Sequence, residues 1–545
     1  MSLDTLFSNG RIWTADPTCP WAQAVGVAQG RIVAVGHNED VAALADAGTK
    51  KIDLAGRMAM PGIQDVHLHL MFGGRQDLYQ LEFSAKTSFE GILERVAEAA
   101  ADKPGTCIFG GGWGNDARIG QLEGLDALDR ASAGTPVILF DESHHNYWAN
   151  RKAMEIAGVT PQTADPQGGA ILRDPASGAM TGVFLETAKD VFAAALAEAF
   201  PRSVEREDAA ALRALQILHS YGVTGFQEAA STPQVMATMQ RLDRQGRMSA
   251  WAVASLAYAP FDDDAGYGED LWETAPQFAS ERIFPTFSKF FLDGVPPLRT
   301  AAFIEPYLPG PDGDGDNRGD LYYTTDELAR LLARSEDAGL AAKMHCTGDA
   351  SVHQALNAIE MVRKKHPERH FAHHIAHASY ILPKDIPRFA QLGVVADLCP
   401  MFWVPSATLE GCIEVLGEER ARRFWPIRDL HEAGTLLAAG TDWPVVPRPD
   451  PWIGLEGMIT RKNPSGEYEG TLWPEQALGL DQALRAYTVD AARAMRIGHL
   501  TGSLRPGLSA DLIVLDRNLF DGPPEAISDT RVLMTWARGQ LVHEG

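Results

Sequence analysis

His67 and His69 stand two residues apart at the end of an apolar run that follows Pro61-Gly62. On a strand, residues two apart face the same side, so both imidazoles can meet one metal ion. In a chain with 16 histidines such a pair arises readily by chance, and alone it reads equally well as two ordinary histidines. Three further donors change that balance. His345 closes the run in Lys343-Met344-His345-Cys346-Thr347-Gly348-Asp349, His377 closes His373-His374-Ile375-Ala376-His377, and Asp442 follows Ala438-Ala439-Gly440-Thr441. Imidazoles joined by a hard carboxylate suit Zn²⁺, Mn²⁺ or Fe²⁺. Lys289, in Phe287-Ser288-Lys289-Phe290-Phe291, is a subtler signal. A lysine among aromatics can snorkel to a surface or pair with an acid. Beside metal ions, however, its ammonium is disfavoured, and the neutral amine can take up CO₂ to give a carbamate whose two oxygens bridge two cations. On that reading Lys289 is the sixth ligand of a binuclear site.

These donors need a scaffold that collects strand ends. Eight short apolar runs lie at 59–69, 222–227, 250–257, 285–292, 341–345, 371–377, 394–398 and 435–441, most of them followed by a helical pattern. The best-marked helix follows the fourth run. Thr324 and Glu327 have capping-box spacing, Leu328, Leu331 and Leu332 repeat at helical spacing, and Gly339 marks the stop. Eight strand-then-helix units predict an α/β fold, a (β/α)₈ TIM-type barrel, whose chemistry sits at the C-terminal ends of its strands. Such a barrel needs only ~250 residues.

The chain has 545, so residues 75–200 read as an inserted α/β subdomain near the active site. Within it Trp113, His145 and Glu186 are candidates for the wall of a substrate pocket, or structural residues of the insertion. Both chain ends read as short strands broken by turns, and neither set makes a stable sheet alone. The expected division is a composite β-sandwich domain from 4–58 plus 499–543, a barrel from 59–74 plus 201–498, and the insertion.

Hydrophobic residues make 45% and charged residues 22% of the chain, a globular composition. The formal net charge of −24 repels phosphate backbones and anionic lipid, so neither nucleic acid nor membrane is an expected partner. The five cysteines, Cys19, Cys107, Cys346, Cys399 and Cys412, form no C-x-x-C pair and fit reduced thiols. The start of the chain lacks a basic stretch followed by an apolar one, so the expected location is cytoplasmic. The expected partners are a small-molecule amide substrate and a second copy of the chain in a homodimer.

Taken together, Pro61-Gly62 to His69, Lys289 with Asp293-Gly294, His345 with Gly348-Asp349, His377, Gly440 to Pro444, and Pro506-Gly507-Leu508-Ser509-Ala510-Asp511 resemble the motifs of the amidohydrolase superfamily. Within it the chain resembles the amidohydrolase-3 (YtcJ-like) branch that includes N-substituted formamide deformylases. The segments Asp141 to Asn150 and Thr181 to Glu186 resemble further motifs of that branch. The resemblance implies His67, His69, Lys289, His345, His377 and Asp442 as metal-site residues, and it also implies the composite β domain. Two divalent metal ions, zinc foremost with manganese or iron as alternatives, and a carboxylated Lys289 are the implied cofactors.

The branch commonly shows Arg-Ile-Glu-His before its sixth-strand ligand, whereas this chain has His374-Ile375-Ala376-His377. His377 stays the expected ligand, with His374 as its competitor. Strand alternation places His373, Ile375 and His377 on one face and turns His374 towards the surrounding helices. The expected reaction is hydrolysis of a non-peptide C–N bond, in an amide, by a metal-activated hydroxide, with Asp442 as the catalytic proton carrier. The alternatives are a mononuclear aminohydrolase that does not need Lys289, a deacylase, or a non-catalytic scaffold. Aminohydrolases of that kind usually offer Glu just after the fifth-strand histidine, where this chain has Thr347-Gly348-Asp349.

Overall fold

A computed structural model describes residues 2–84, 86–114, 116–141, 146–166, 169–261, 266–310, 315–402 and 404–545. The chain divides into two compact units, one formed by Met1–Leu70 with Ala214–Gly545 and the other by Met71–Arg213.

The first unit is built around eight parallel strands: β1 (Ile63–Leu68), β2 (Val223–Ser231), β3 (Trp251–Ala257), β4 (Ile283–Phe291), β5 (Ala341–Cys346), β6 (His374–His377), β7 (Val395–Leu398) and β8 (Leu436–Ala439). They follow one another in chain order across the sheet, so β1 and β8 are its edges. Backbone bonds stitch those edges together beyond the last residue of β8. The Asp442 N–H donates to the His67 carbonyl at 2.7 Å, and the His69 N–H donates to the Trp443 carbonyl at 2.7 Å. Gly440 permits this approach, since a Cβ there would stand 2.5 Å from the His67 nitrogen. The result is a nearly closed (β/α)₈ barrel, as the eight apolar runs predict.

Register sets what lines its interior. Phe287 pairs with Ala341, Lys289 with Lys343, and Phe291 with His345; on the next strand His374 pairs with Lys343 and Ala376 with His345. Side chains two apart on a strand share a face, so an apolar layer lies beneath a charged one, which lies beneath the histidine layer. Phe287, Ala341, Val253 and Val395 pack with Ala491, Ala494 and Met495 at helix α2 (Val489–Ala494) in that apolar layer. Helix α1 (Thr325–Asp337) carries the expected capping box, with Thr324 Oγ1 accepting from the Glu327 N–H at 3.3 Å and Glu327 Oε2 accepting from the Thr324 N–H at 2.9 Å.

The chain ends also meet within this unit. Met58–Pro61 lies between Arg11–Trp13 and Leu512–Leu515 in one six-stranded sheet, and Thr5–Ser8 lies between Ala24–Ala28 and Lys50–Asp53 in a four-stranded one. Phe7, Ile12, Val25 and Ile32 share a buried core with Leu512, Val514 and Trp536. This composite sandwich follows from need. Each terminal set of strands has one apolar face, and neither face can leave water without the other.

The second unit has its own six-stranded mixed sheet, formed by Leu81–Glu82, Ile108–Trp113, Val137–Asp141, Asn146–Ala149, Gly169–Arg173 and Met180–Glu186. Phe89, Ile92, Val96, Leu139 and Trp148 fill one face of it. Among the described residues, no helix is long and apolar enough to cross a membrane.

Candidate metal centre

The donors converge because each stands where a barrel strand ends. His67 and His69 flank the last residue of β1, and their Nε2 atoms lie 3.6 and 3.7 Å from the same Asp442 oxygen. Asp442 and His377 both take left-handed backbone conformations, with φ of 62° and 67°. For residues other than glycine this costs on the order of 1–3 kcal/mol, and the surroundings must hold it. The Asp442 N–H is tied to the His67 carbonyl, and the His377 carbonyl accepts from the Trp425 indole N–H at 2.7 Å. The His377 ring consequently lies inside the barrel, 4.8 Å from His67 and 4.6 Å from His345 between ring centroids.

Each of three histidines turns its Nδ1 towards a carboxylate. His67 faces Asp397 at 3.5 Å, His69 faces Glu228 at 3.5 Å, and His345 faces Asp293 at 3.4 Å. A carboxylate behind an imidazole fixes the ring's orientation and tautomer, which leaves Nε2 as the free ligand atom. The carboxylates are themselves anchored. Asp293 accepts from the backbone N–H groups of Ala302, Thr347 and Gly348 at 3.0, 3.0 and 2.8 Å, and from the Ser351 hydroxyl at 2.7 Å. Glu228 accepts from the Leu70 N–H at 2.7 Å. Asp397 accepts from the Lys343 ammonium and from His374 Nδ1 at 3.1 Å, and Lys343 also donates to the Val66 carbonyl at 2.8 Å.

Electrostatics prepare these groups for a cation. Burial holds His67 and His377 well below the usual imidazole range, helped by Lys343 and Lys289 near the first and by His345 and His67 near the second. They are therefore neutral, the form that binds metal. Burial raises the Asp442 carboxyl, while His69 and Lys289 oppose the rise. Burial pushes the Lys289 amine down to about 8, assisted by the Lys343 charge and resisted by Asp442 and Asp397. Asp397 stays ionised: burial alone would raise it, but Lys343, His374 and His67 hold it well below the carboxylate range.

Two groups of donors result among the described residues, His67–His69–Asp442 and His377–Cys399–Asp442, the donor atoms of each lying within 4.8 Å of one another. Asp442 belongs to both. Lys289 is buried in the same barrel interior, its Nζ 4.7 Å from the centre of the Phe291 ring, and that ring lies 5.7 Å from His345. The structure thus gathers His67, His69, His345, His377 and Asp442, with Lys289 among them.

The expected orientation of the sixth strand is reversed. His374, not His373, points into the barrel, where it meets Asp397 and lies 4.8 Å from the Phe287 ring. His373 faces the helix layer instead, with Nε2 3.0 Å from Glu336 of α1 and Nδ1 accepting from the Ala342 N–H. The two-residue repeat holds up to Ala376, and the left-handed turn at His377 then swings that ring back inside.

Trp113 and Glu186 belong to the second unit. The Trp113 indole donates to the Leu139 carbonyl at 3.1 Å within that unit's sheet, and Glu186 is exposed in a left-handed conformation with φ of 50°. His145 lies outside the described residues. Sequence reasoning missed Glu228, Lys343, Asp397 and Cys399. The available signal was a charged or thiol side chain within, or one residue beyond, an apolar strand run, where only the barrel interior can receive it.

A family model described as "Amidohydrolase family" matches residues 50–543. The chain belongs to the amidohydrolase family. Membership implies a hydrolase that depends on a divalent metal. The chain is 29% identical to "Protein LONG AFTER FAR-RED 3" of Arabidopsis thaliana, over 99% of this chain and 91% of that one. It is 28% identical to "Putative amidohydrolase YtcJ" of Bacillus subtilis, over 99% and 100% respectively. It is 26% identical to "N-substituted formamide deformylase" of Arthrobacter pascens, over 99% and 98%. In fold, this amidohydrolase resembles an uncharacterized metal-dependent hydrolase from Pyrococcus horikoshii, with a TM-score of 0.74 at 24% identity, covering 95% of this chain and 99% of that one.

Proposed function

We propose that the chain hydrolyses a non-peptide amide C–N bond of a small molecule, using two divalent ions at the mouth of the barrel, zinc foremost. The observation that carries this reading is Asp442, one carboxylate shared by two converging donor groups. The donor set fits such ions. Imidazole nitrogen and carboxylate oxygen are the usual partners of zinc, His67 and His377 are held neutral by burial, and the Nδ1 atoms of His67, His69 and His345 already face carboxylates. His67, His69 and Asp442 would hold one ion, and His345, His377 and Asp442 the other.

Lys289 would contribute a carbamate. Its neutral amine would form a nitrogen–carbon bond to CO₂ and release a proton to solvent, which would give the side chain two carboxylate oxygens able to ligate cations. Ions bound there supply an acidified water and a polarised carbonyl. Asp442 takes the proton of the attacking water on a carboxylate oxygen and passes it to the departing nitrogen, which leaves as an amine. Phe291 and Phe261 stack at 6.1 Å, with Phe261 5.3 Å from His69, and form an apolar wall that limits water beside the ligand histidines. The similarity to an N-substituted formamide deformylase supports an N-acyl or N-formyl amine as substrate.

The test is elemental analysis of protein purified without added metal, followed by a screen of N-acyl and N-formyl amines for amine release. Turnover of amides that tracks metal content is expected. Metal-replete protein that releases amine from none of them, but turns over esters or aminopurines, would refute the C–N amide assignment.

A further inference from the structure

Cys399, one of the five free cysteines, directly follows β7 and is fully buried. Its sulfur lies within 4.8 Å of a donor nitrogen of His377 and a carboxylate oxygen of Asp442. No other cysteine stands in such a group among the described residues: Cys346 and Cys412 are buried outside both donor groups, and Cys19 and Cys107 are only partly buried. A buried free cysteine usually serves as a small apolar side chain, and an apolar filler belongs against hydrocarbon. Cys399 instead converges on an imidazole and a carboxylate, both more than nine-tenths buried. A sulfur and a carboxylate placed together out of water are complemented by a dication.

We propose that Cys399 is a metal ligand, so that the ion shared by His377 and Asp442 is held by nitrogen, oxygen and sulfur. The inference rests on the metal-dependent reading above and sharpens it. Thiolate sulfur selects thiophilic ions of the zinc, cobalt and cadmium kind over magnesium or manganese. The two halves of the centre therefore differ: the His67–His69 side offers nitrogen and oxygen, and the Cys399 side adds sulfur. When the sulfur–metal bond forms, the thiol proton leaves to solvent.

The test titrates the metal-free full-length chain with Cd²⁺ and with Co²⁺, following sulfur-to-metal charge-transfer absorption in the near ultraviolet and bound metal by elemental analysis. The wild-type chain should develop the band as ions bind, and Cys399→Ser should bind metal without it. Loss of this ligand should weaken Cd²⁺ binding at that position by on the order of 10–100-fold, at least the effect of removing a group behind a ligand, while Mg²⁺ binding changes little. Cadmium NMR of the wild type reads the same point without any variant, because a bonded sulfur moves the resonance far downfield of nitrogen and oxygen sites. Ions that bind the wild type with no charge-transfer band and no downfield resonance overturn the assignment of Cys399 and leave the metal centre standing. A band that persists in Cys399→Ser overturns it as well. A chain that binds no divalent ion at all overturns both this inference and the function on which it rests.

Discussion

Lys343 offers the sharpest perturbation of the barrel interior. Its ammonium is fully buried, pairs with the equally buried Asp397, and donates to the Val66 carbonyl. Replacing it by Met keeps the volume and deletes the charge. Asp397 would then keep His374 Nδ1 at 3.1 Å and His67 Nδ1 at 3.5 Å but lose the ammonium in direct contact with it. An uncompensated buried carboxylate left by removal of one partner typically costs about 3–5 kcal/mol. Lys343→Met should therefore lose about that much unfolding free energy in urea at neutral pH. The double variant Lys343→Met with Asp397→Leu removes both charges and should recover most of the loss, because an apolar pair of similar volume replaces an ion pair at little net cost. Metal binding separates the two roles of Asp397. The double variant regains stability, yet His67 has lost the carboxylate behind it, so affinity should fall by about 10–100-fold. A Lys343→Met protein within about 1 kcal/mol of wild type, or a double variant no more stable than the single one, would refute the reasoning.

Three further outcomes follow from the same geometry. Asp442→Asn should lose about 10²–10⁴-fold in kcat, the usual worth of a general acid–base group, and near-normal turnover would remove Asp442 from proton transfer. Metal-free Lys289→Met in CO₂-free buffer should melt above wild type at pH 7. Wild-type Lys289 must be buried charged below its folded value of about 8, a penalty that is relieved as pH rises from about 8 to its unfolded value of 10.5. The advantage of the variant should therefore shrink across that window, and a pH-independent difference would contradict the assigned environment. His374→Asn should keep its metal and lose about 1–3 kcal/mol of stability, because Asp397 and the Ala494 carbonyl lose their buried partner; loss of metal would show that His374 is a ligand.

The barrel was legible because its strands are short, apolar and closed by donors: a histidine or aspartate that ends an apolar run has little choice but to face the barrel mouth. His67, His69, His345 and Asp442 all gave that signal. The phase of the sixth strand did not. Nothing in His374-Ile375-Ala376-His377 announces a left-handed residue, since no glycine stands there, and the conformation is imposed by tertiary contacts such as the Trp425 indole on the His377 carbonyl. The supporting carboxylates were hidden for a related reason. Glu228 and Asp397 pair with histidines 159 and 330 residues away in the sequence, and only the closed barrel brings them together.

The central claim is that two ions share Asp442, and metal stoichiometry in single-ligand variants tests it most directly. Wild type purified and dialysed in buffer free of added metal should hold two divalent ions per chain by elemental analysis. His67→Asn and His377→Asn should each fall towards one, because each removes a donor from one group and leaves the other intact. One ion per chain in the wild type, unchanged by either substitution, would contradict the account.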